Sequence, residues 1–235
     1  MTSLNILGGG AAQGLVASLA PDFQAQTGLD ISGEFGAVGA MAEKLRIGTP
    51  TDIVILTAAL LARLAEEQLV VPSSISDIGL VETALAVRKG DPLLNVRDKT
   101  DLRAALLASD AIFVPDTKVS TAGIHVAKIL AELGVAEAIA ARLRIYPNGA
   151  TAMRHLADSD AKRPVGCTQS TEIINTEGVV LSGPLPPGCE LSTVYTAGVT
   201  TQAANPKQAQ VLIDLLTSAD ARELRTRVGF RNARS

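Results

Sequence analysis

Tryptophan is absent from this chain of 235 residues, and aromatic residues make up only 3% of it. Carbohydrate sites and single-stranded nucleic-acid sites lean on aromatic faces for stacking, so both classes are disfavoured at the outset. Excess positive charge is missing too. Lys and Arg number 21 against 24 Asp and Glu, a formal net charge of −3, and no basic run occurs. The electrostatic footprint of a nucleic-acid partner is therefore lacking. Charge interrupts the longest apolar runs before any reaches membrane-spanning length, so direct membrane insertion is not expected. Cysteine is sparse, with Cys167 and Cys189 alone. They allow one disulfide, but two thiols in an α/β protein are more often free core residues. No Cys-x-x-Cys or His-rich spacing marks a metal site, and His125 and His155 lie far apart. Neither a metal nor a cofactor is expected. At the start, Met1-Thr2-Ser3 leads directly into an apolar run with no signal-peptide pattern. As written, the chain reads as cytoplasmic; an export signal ahead of it would make it periplasmic.

What is present is ample apolar material, 47% of the residues, in a length that fits one large domain or two small ones. The most informative stretch runs Leu4-Asn5-Ile6-Leu7-Gly8-Gly9-Gly10-Ala11-Ala12-Gln13-Gly14-Leu15. An apolar strand breaks at three glycines and continues as a helix in which Leu15, Leu19 and Phe23 recur every fourth residue on one face. A helix that begins in this way presents unpaired N–H groups and the positive end of its dipole, which together suit an anion. Glycine lets a ligand approach the backbone closely. The alternative is a plain tight turn. No Gly-Lys-Ser/Thr follows, and the spacing is not G-x-G-x-x-G, so neither a phosphate loop nor a dinucleotide site is indicated.

The device recurs along the chain. A short strand around Ile31 and Phe35 gives way to Gly36-Ala37-Val38-Gly39-Ala40 and a helix from about Met41 to Ile47. Asp52 to Leu56 reads as a buried parallel strand, being continuously apolar after its first residue. Ala111 to Pro115 is a strand, followed by a loop of small and hydroxyl residues from Asp116 to Gly123 and a helix from Ile124 to Leu133. Leu143 to Tyr146 leads into Pro147-Asn148-Gly149-Ala150-Thr151 and another helix. Val165-Gly166-Cys167 precedes Gln169-Ser170-Thr171-Glu172, which can cap a helical turn. Asn205-Pro206 opens a long closing helix. Strands alternating with helices imply an α/β fold with a parallel sheet.

In this order the pieces resemble a type II periplasmic-type solute-binding protein of the molybdate-binding branch, from about Leu4 to Phe230. The opening strand-loop-helix, Gly36 to Ala40, Thr51 to Ile55, Ala122-Gly123, and the closing Asn205 to Ala221 with Gly229-Phe230 carry the resemblance. It implies two α/β lobes, residues 1–83 with 196–235 and residues 84–195. They would be joined by crossover strands near Val81 to Val87 and Ser192 to Gly198, with an interlobe cleft that closes over the ligand by a hinge motion. It also implies membrane subunits of an ABC transporter as partners. Molybdate-binding proteins typically place a serine in each of the first two loops; the matching positions here are Ala11 and Val38. Each missing hydroxyl would cost a tetrahedral oxyanion roughly 1–3 kcal/mol. The chain is also similar to a sub-branch that includes an aconitate isomerase, through Ser120-Thr121-Ala122-Gly123, Gly166 to Ile173 and Gly178 to Pro186. That shifts the expected ligand toward a small organic carboxylate.

The candidate ligand-binding residues are then Gly8, Gly9, Gly10, Ala11, Val38 and Gly39 in the first two loops. In the later loops they are Val119, Ser120, Thr121, Asn148, Gly149, Ala150, Gln169 and Ser170, each with helix capping as the alternative role. Arg88 and Lys118 are candidate charge partners for a carboxylate, against the commoner fate of solvated surface side chains. No residue declares itself as a general base. The expected function is a solute-binding protein for a small anion, with a proton-transfer isomerase of a polycarboxylate such as aconitate as the alternative. A cytoplasmic ligand sensor is a third reading.

Overall fold

Leu15, Leu19 and Phe23 are all buried on one face of a helix, as their spacing requires. The helix belongs to a computed structural model that describes residues 3–231, so Met1 and Thr2, on which the reading of the chain start rests, lie outside the described residues. The chain divides into two compact units. Unit one takes the chain up to Val81 and again from Thr193; unit two runs from Glu82 to Ser192.

Unit one begins with β1 (Ser3–Gly9), α1 (Gln13–Thr27), β2 (Asp30–Gly36), α2 (Val38–Arg46), β3 (Ile53–Thr57), α3 (Ala58–Glu66) and the first part of β4 (Ser76–Arg88). β1 lies between β2 and β3, parallel to both. Gly28 ends α1 at φ 71°, a left-handed conformation that glycine adopts without the Cβ penalty. The continuously apolar β3 is buried along its whole length because both its faces are covered.

Unit two holds the rest of β4, then α4 (Lys99–Ala108), β5 (Ala111–Pro115), α5 (Thr121–Glu132), α6 (Ala136–Ile139), β6 (Leu143–Tyr146), α7 (Gly149–Ala157), β7 (Pro164–Gln169), α8 (Ser170–Ile174) and β8 (Val179–Pro184). β5 is parallel to β6 and β7, whereas β4 is antiparallel to β7 and β8. Leu85, Val165 and Cys167 pack with Leu102 of α4 and with Val126, Ile129 and Leu130 of α5. On the other face, Ala84 and Ala86 pack with Met153 and Leu156 of α7.

The chain returns to unit one as β9 (Ser192–Val199), α9 (Pro206–Thr217) and α10 (Arg222–Arg227). β9 pairs antiparallel with β3. The expectation of a parallel sheet throughout is thus corrected: β4, β8 and β9 run against their neighbours, and alternation in sequence does not reveal strand direction. Buried Asp52 accepts the N–H of Asn5 at 2.8 Å and that of Asn205 at 2.7 Å, tying β1 to the start of α9. Cys167 and Cys189 are both free and buried in the unit-two core.

Candidate functional site

In unit one the first two loops sit where β1 and β2 end, and α1 and α2 start there. Gly8 and Gly9 close β1, and Gly10 and Ala11 form a single 3-10 turn with Ala12. A Cβ on Gly8 would fall 2.5 Å from the Phe35 ring, and one on Gly9 would fall 2.8 Å from both Tyr195 and Val38. The first two glycines are therefore demanded by packing, since they let two rings and a valine close over the strand end. Val38 is the first residue of α2 with Gly39 behind it, and neither α1 nor α2 has a side-chain cap. The Gln13 N–H that opens α1 donates to the Gly10 carbonyl across the 3-10 turn, whereas the leading N–H groups of α2 have no acceptor within that helix. Ala11 and Val38 are buried and apolar, so any donor at these positions is main-chain.

In unit two, β5, β6 and β7 run in one direction, and α5, α7 and α8 begin at their C-terminal ends. This brings Ser120, Thr121, Asn148, Gly149, Ala150, Gln169 and Ser170 to one edge. The two longer helix starts differ. Asn148 caps α7 by accepting the N–H of Thr151 at 2.8 Å. The amides of Gly149 and Ala150 donate to the carboxylate of Glu172, as does that of Gln169. Glu172 also accepts the Thr168 hydroxyl at 2.5 Å. Gly149 and Ala150, expected to face a ligand, are thus already engaged by an internal carboxylate. Burial pushes the Glu172 carboxyl above its ordinary value, and the hydrogen bonds from Thr168 and the three amides pull it partway back.

Ahead of α5 the carboxylate of Asp116 takes the amides of Lys118 and Val119 at 2.7 and 3.1 Å, but among the described residues no carboxylate is seen to take an amide of the helix itself. Ser120 caps it through a long contact from the Gly123 N–H at 3.5 Å. The leading amides of Thr121 and Ala122 have no acceptor within the helix. Gly123 is forced by closeness: a Cβ there would fall 2.1 Å from the carbonyl oxygen of Asp116. Val119 is exposed on the loop ahead of the helix, as is Lys118, which makes no ion pair among the described residues.

Gln169 ends β7 with its side chain buried, and neither its side-chain carbonyl oxygen nor its side-chain amide nitrogen has a partner among the described residues. Thr83, its register partner on β4, has a buried hydroxyl with no partner among the described residues. Thr83 was not visible in the sequence as a site residue, because only the β4–β7 ladder places it beside Gln169. Glu172 was visible only as the third helical residue after Gln169, the position of a reciprocal cap.

Arg88 does not belong to this edge. Because β4 is antiparallel to β7, Thr83 lies level with Gln169 while Arg88 lies toward the opposite edge. There its guanidinium donates to the Ser159 carbonyl and to Asp91. The role of Arg88 as a charge partner for a ligand at the helix starts is therefore corrected. Among the described residues, no group of three or more His, Cys, Asp or Glu is arranged to hold a metal ion, and no helix is long and apolar enough to cross a membrane.

Helix starts gathered at strand ends in two α/β units define a fold shared with two-lobed periplasmic binding proteins. The chain belongs to the bacterial extracellular solute-binding protein family, whose model matches residues 4–231. It is similar to an aconitate isomerase from a Pseudomonas species, with 25% identity over 94% of this chain and 84% of that one. Among solved structures, the periplasmic molybdate-binding protein of Azotobacter vinelandii matches with a TM-score of 0.83 and 16% identity over 99% of this chain and all of that one. A sulfate-binding protein of Mycobacterium tuberculosis matches at 0.76 and 19% identity, over 99% of this chain and 88% of that one. At such identities the two structures speak for the fold alone.

Proposed function

We propose that this protein binds one small organic carboxylate as its solute and presents it to the membrane subunits of an ABC transporter. The observation that carries the reading is the makeup of the first two loops. The helix starts there offer main-chain amides with no side-chain cap, and Ala11 and Val38 stand where the molybdate-binding resemblance calls for hydroxyls. The start of α5, where Ser120 caps only the Gly123 N–H, adds the amides of Thr121 and Ala122. A thermal-shift panel tests the reading, since a ligand that binds only the folded state raises the melting temperature. Mono-, di- and tricarboxylates are expected to stabilise the protein more than molybdate, tungstate or sulfate. Greater stabilisation by molybdate or tungstate would overturn the ligand class, and no stabilisation by any anion would overturn the binding role.

The similarity to an aconitate isomerase along nearly the whole chain favours a second reading, an isomerase that moves a proton on a small polycarboxylate. Such an enzyme needs a base within reach of an acidic C–H. Incubation with cis- and trans-aconitate, followed by proton NMR, tests it. Absence of interconversion at enzyme concentrations comparable to substrate would exclude that reaction.

A further inference from the structure

Two helix starts at the same edge of unit two are treated differently by the chain. That of α7 is closed by Glu172, whose carboxylate takes the amides of Gly149 and Ala150. At that of α5 the Asp116 carboxylate takes the amides of Lys118 and Val119 ahead of the helix and Ser120 takes that of Gly123, while Gln169 and Thr83 on the neighbouring strands have side-chain polar atoms left unpaired among the described residues. Side chains alternate along a strand, so Gln169 points to the same face of the sheet as Cys167 and Val165. Residues directly opposite in an antiparallel pair share a face, so Thr83 points there too, beside Leu85. That face is covered by α5: Leu85, Val165 and Cys167 pack on Val126, Ile129 and Leu130. Gln169 lies one step beyond Cys167 toward the strand end, which is the level of the first turn of α5.

Gln169 is 3% exposed and Thr83 1% exposed, so neither gains much from solvent. The primary amide of Gln169 has an acceptor oxygen and a donor nitrogen, both unpartnered among the described residues. A buried polar group without a partner is costly, and its complement has to supply what is missing. Sulfate and molybdate supply acceptors only. They would satisfy the nitrogen and leave the oxygen unpaired. A plain carboxylate has the same defect.

We propose, resting on the reading of this protein as a carboxylate-binding protein, that its ligand is a small hydroxycarboxylate. Gln169 and Thr83 are the residues that recognise the hydroxyl. The ligand carboxylate meets the leading amides of α5 and the Gln169 nitrogen. Its hydroxyl donates to the Gln169 carbonyl oxygen, and the Thr83 hydroxyl completes the set.

Isothermal titration of the full chain with pairs that differ by one hydroxyl tests this: lactate against propionate, malate against succinate, citrate against tricarballylate, with sulfate alongside. In at least one pair the hydroxy acid should bind about tenfold or more tighter than its partner and than sulfate, and the preference should shrink below about threefold in Gln169→Met. Carboxylate binding without a hydroxyl preference, or a preference that survives Gln169→Met, would overturn this inference and leave the carboxylate reading standing. If none of the carboxylates binds, both fall. The unliganded melting temperature gives a second readout. Gln169→Met removes a buried amide that has no partner, so its melting temperature should equal or exceed that of the parent protein. A fall of more than about 5 °C would mean the amide is satisfied within the protein, which would also overturn the inference.

Discussion

The carboxylate of Glu172 occupies the space into which any side chain on Gly149 would project: a Cβ there would fall 1.9 Å from Oε2 and 2.1 Å from the Thr168 hydroxyl oxygen. The glycine is present so that a buried acid can reach the first amides of α7. This makes Glu172 a tether between β7, α8 and α7, because it takes N–H groups from Gln169, Gly149 and Ala150 and the O–H of Thr168.

Gly149→Ala should therefore cost more than a helix-start alanine normally would. The methyl group has to displace the carboxylate, and overpacking of this kind costs about 1–3 kcal/mol before any lost hydrogen bond is counted. Urea denaturation of the parent and the variant measures it. A variant as stable as the parent would show that Glu172 does not hold this position.

Glu172→Gln should change how stability depends on pH. Burial raises the Glu172 carboxyl above its ordinary value of 4.5, so the folded state keeps the proton at pH values where the unfolded chain has released it. The resulting stabilisation is fully present below about 4.5 and is lost as pH rises through the folded value. Relative to Glu172→Gln, the parent protein should gain stability as pH is lowered from neutrality toward 4.5. Paired denaturation curves across that range check the sign. A stability difference that is flat in pH, or that grows with rising pH, contradicts the shift.

Neither cysteine should react while the protein is folded. Burial pushes the Cys167 thiol up to about 12, and that of Cys189 is raised for the same reason. The thiolate is the reactive form, so a thiol reagent at pH near 8 should label nothing in native protein and both residues in urea. Rapid labelling without denaturant would mean that the unit-two core opens far more readily than its packing implies.

Several parts of this protein were legible in the residues themselves. The four-residue recurrence of Leu15, Leu19 and Phe23, the uninterrupted apolar run of β3, and the small-residue breaks after Leu7, Phe35, Pro115 and Tyr146 all follow from local rules. Backbone propensity and side-chain periodicity act over a few residues. The order of these pieces sufficed to suggest a solute-binding fold, and the family match agrees. Even α5 is legible apart from its first turn, which reads as a loop because Thr121, Ala122 and Gly123 are small.

What the tertiary structure alone decided concerns partners distant in sequence. Strand direction is invisible to local pattern, so Arg88 reads as a candidate charge partner for a carboxylate, yet the antiparallel run of β4 carries it away from Gln169 and toward Asp91. The same ladder brings Thr83 level with Gln169, although 86 residues separate them in sequence. Whether a helix start is open or already filled likewise depends on what reaches it from elsewhere in the fold. Glu172 fills that of α7, and the sequence around Asn148 gives no sign of it. A hydrogen-bond donor is specified by one residue, but its being free for a ligand is a property of everything packed around it.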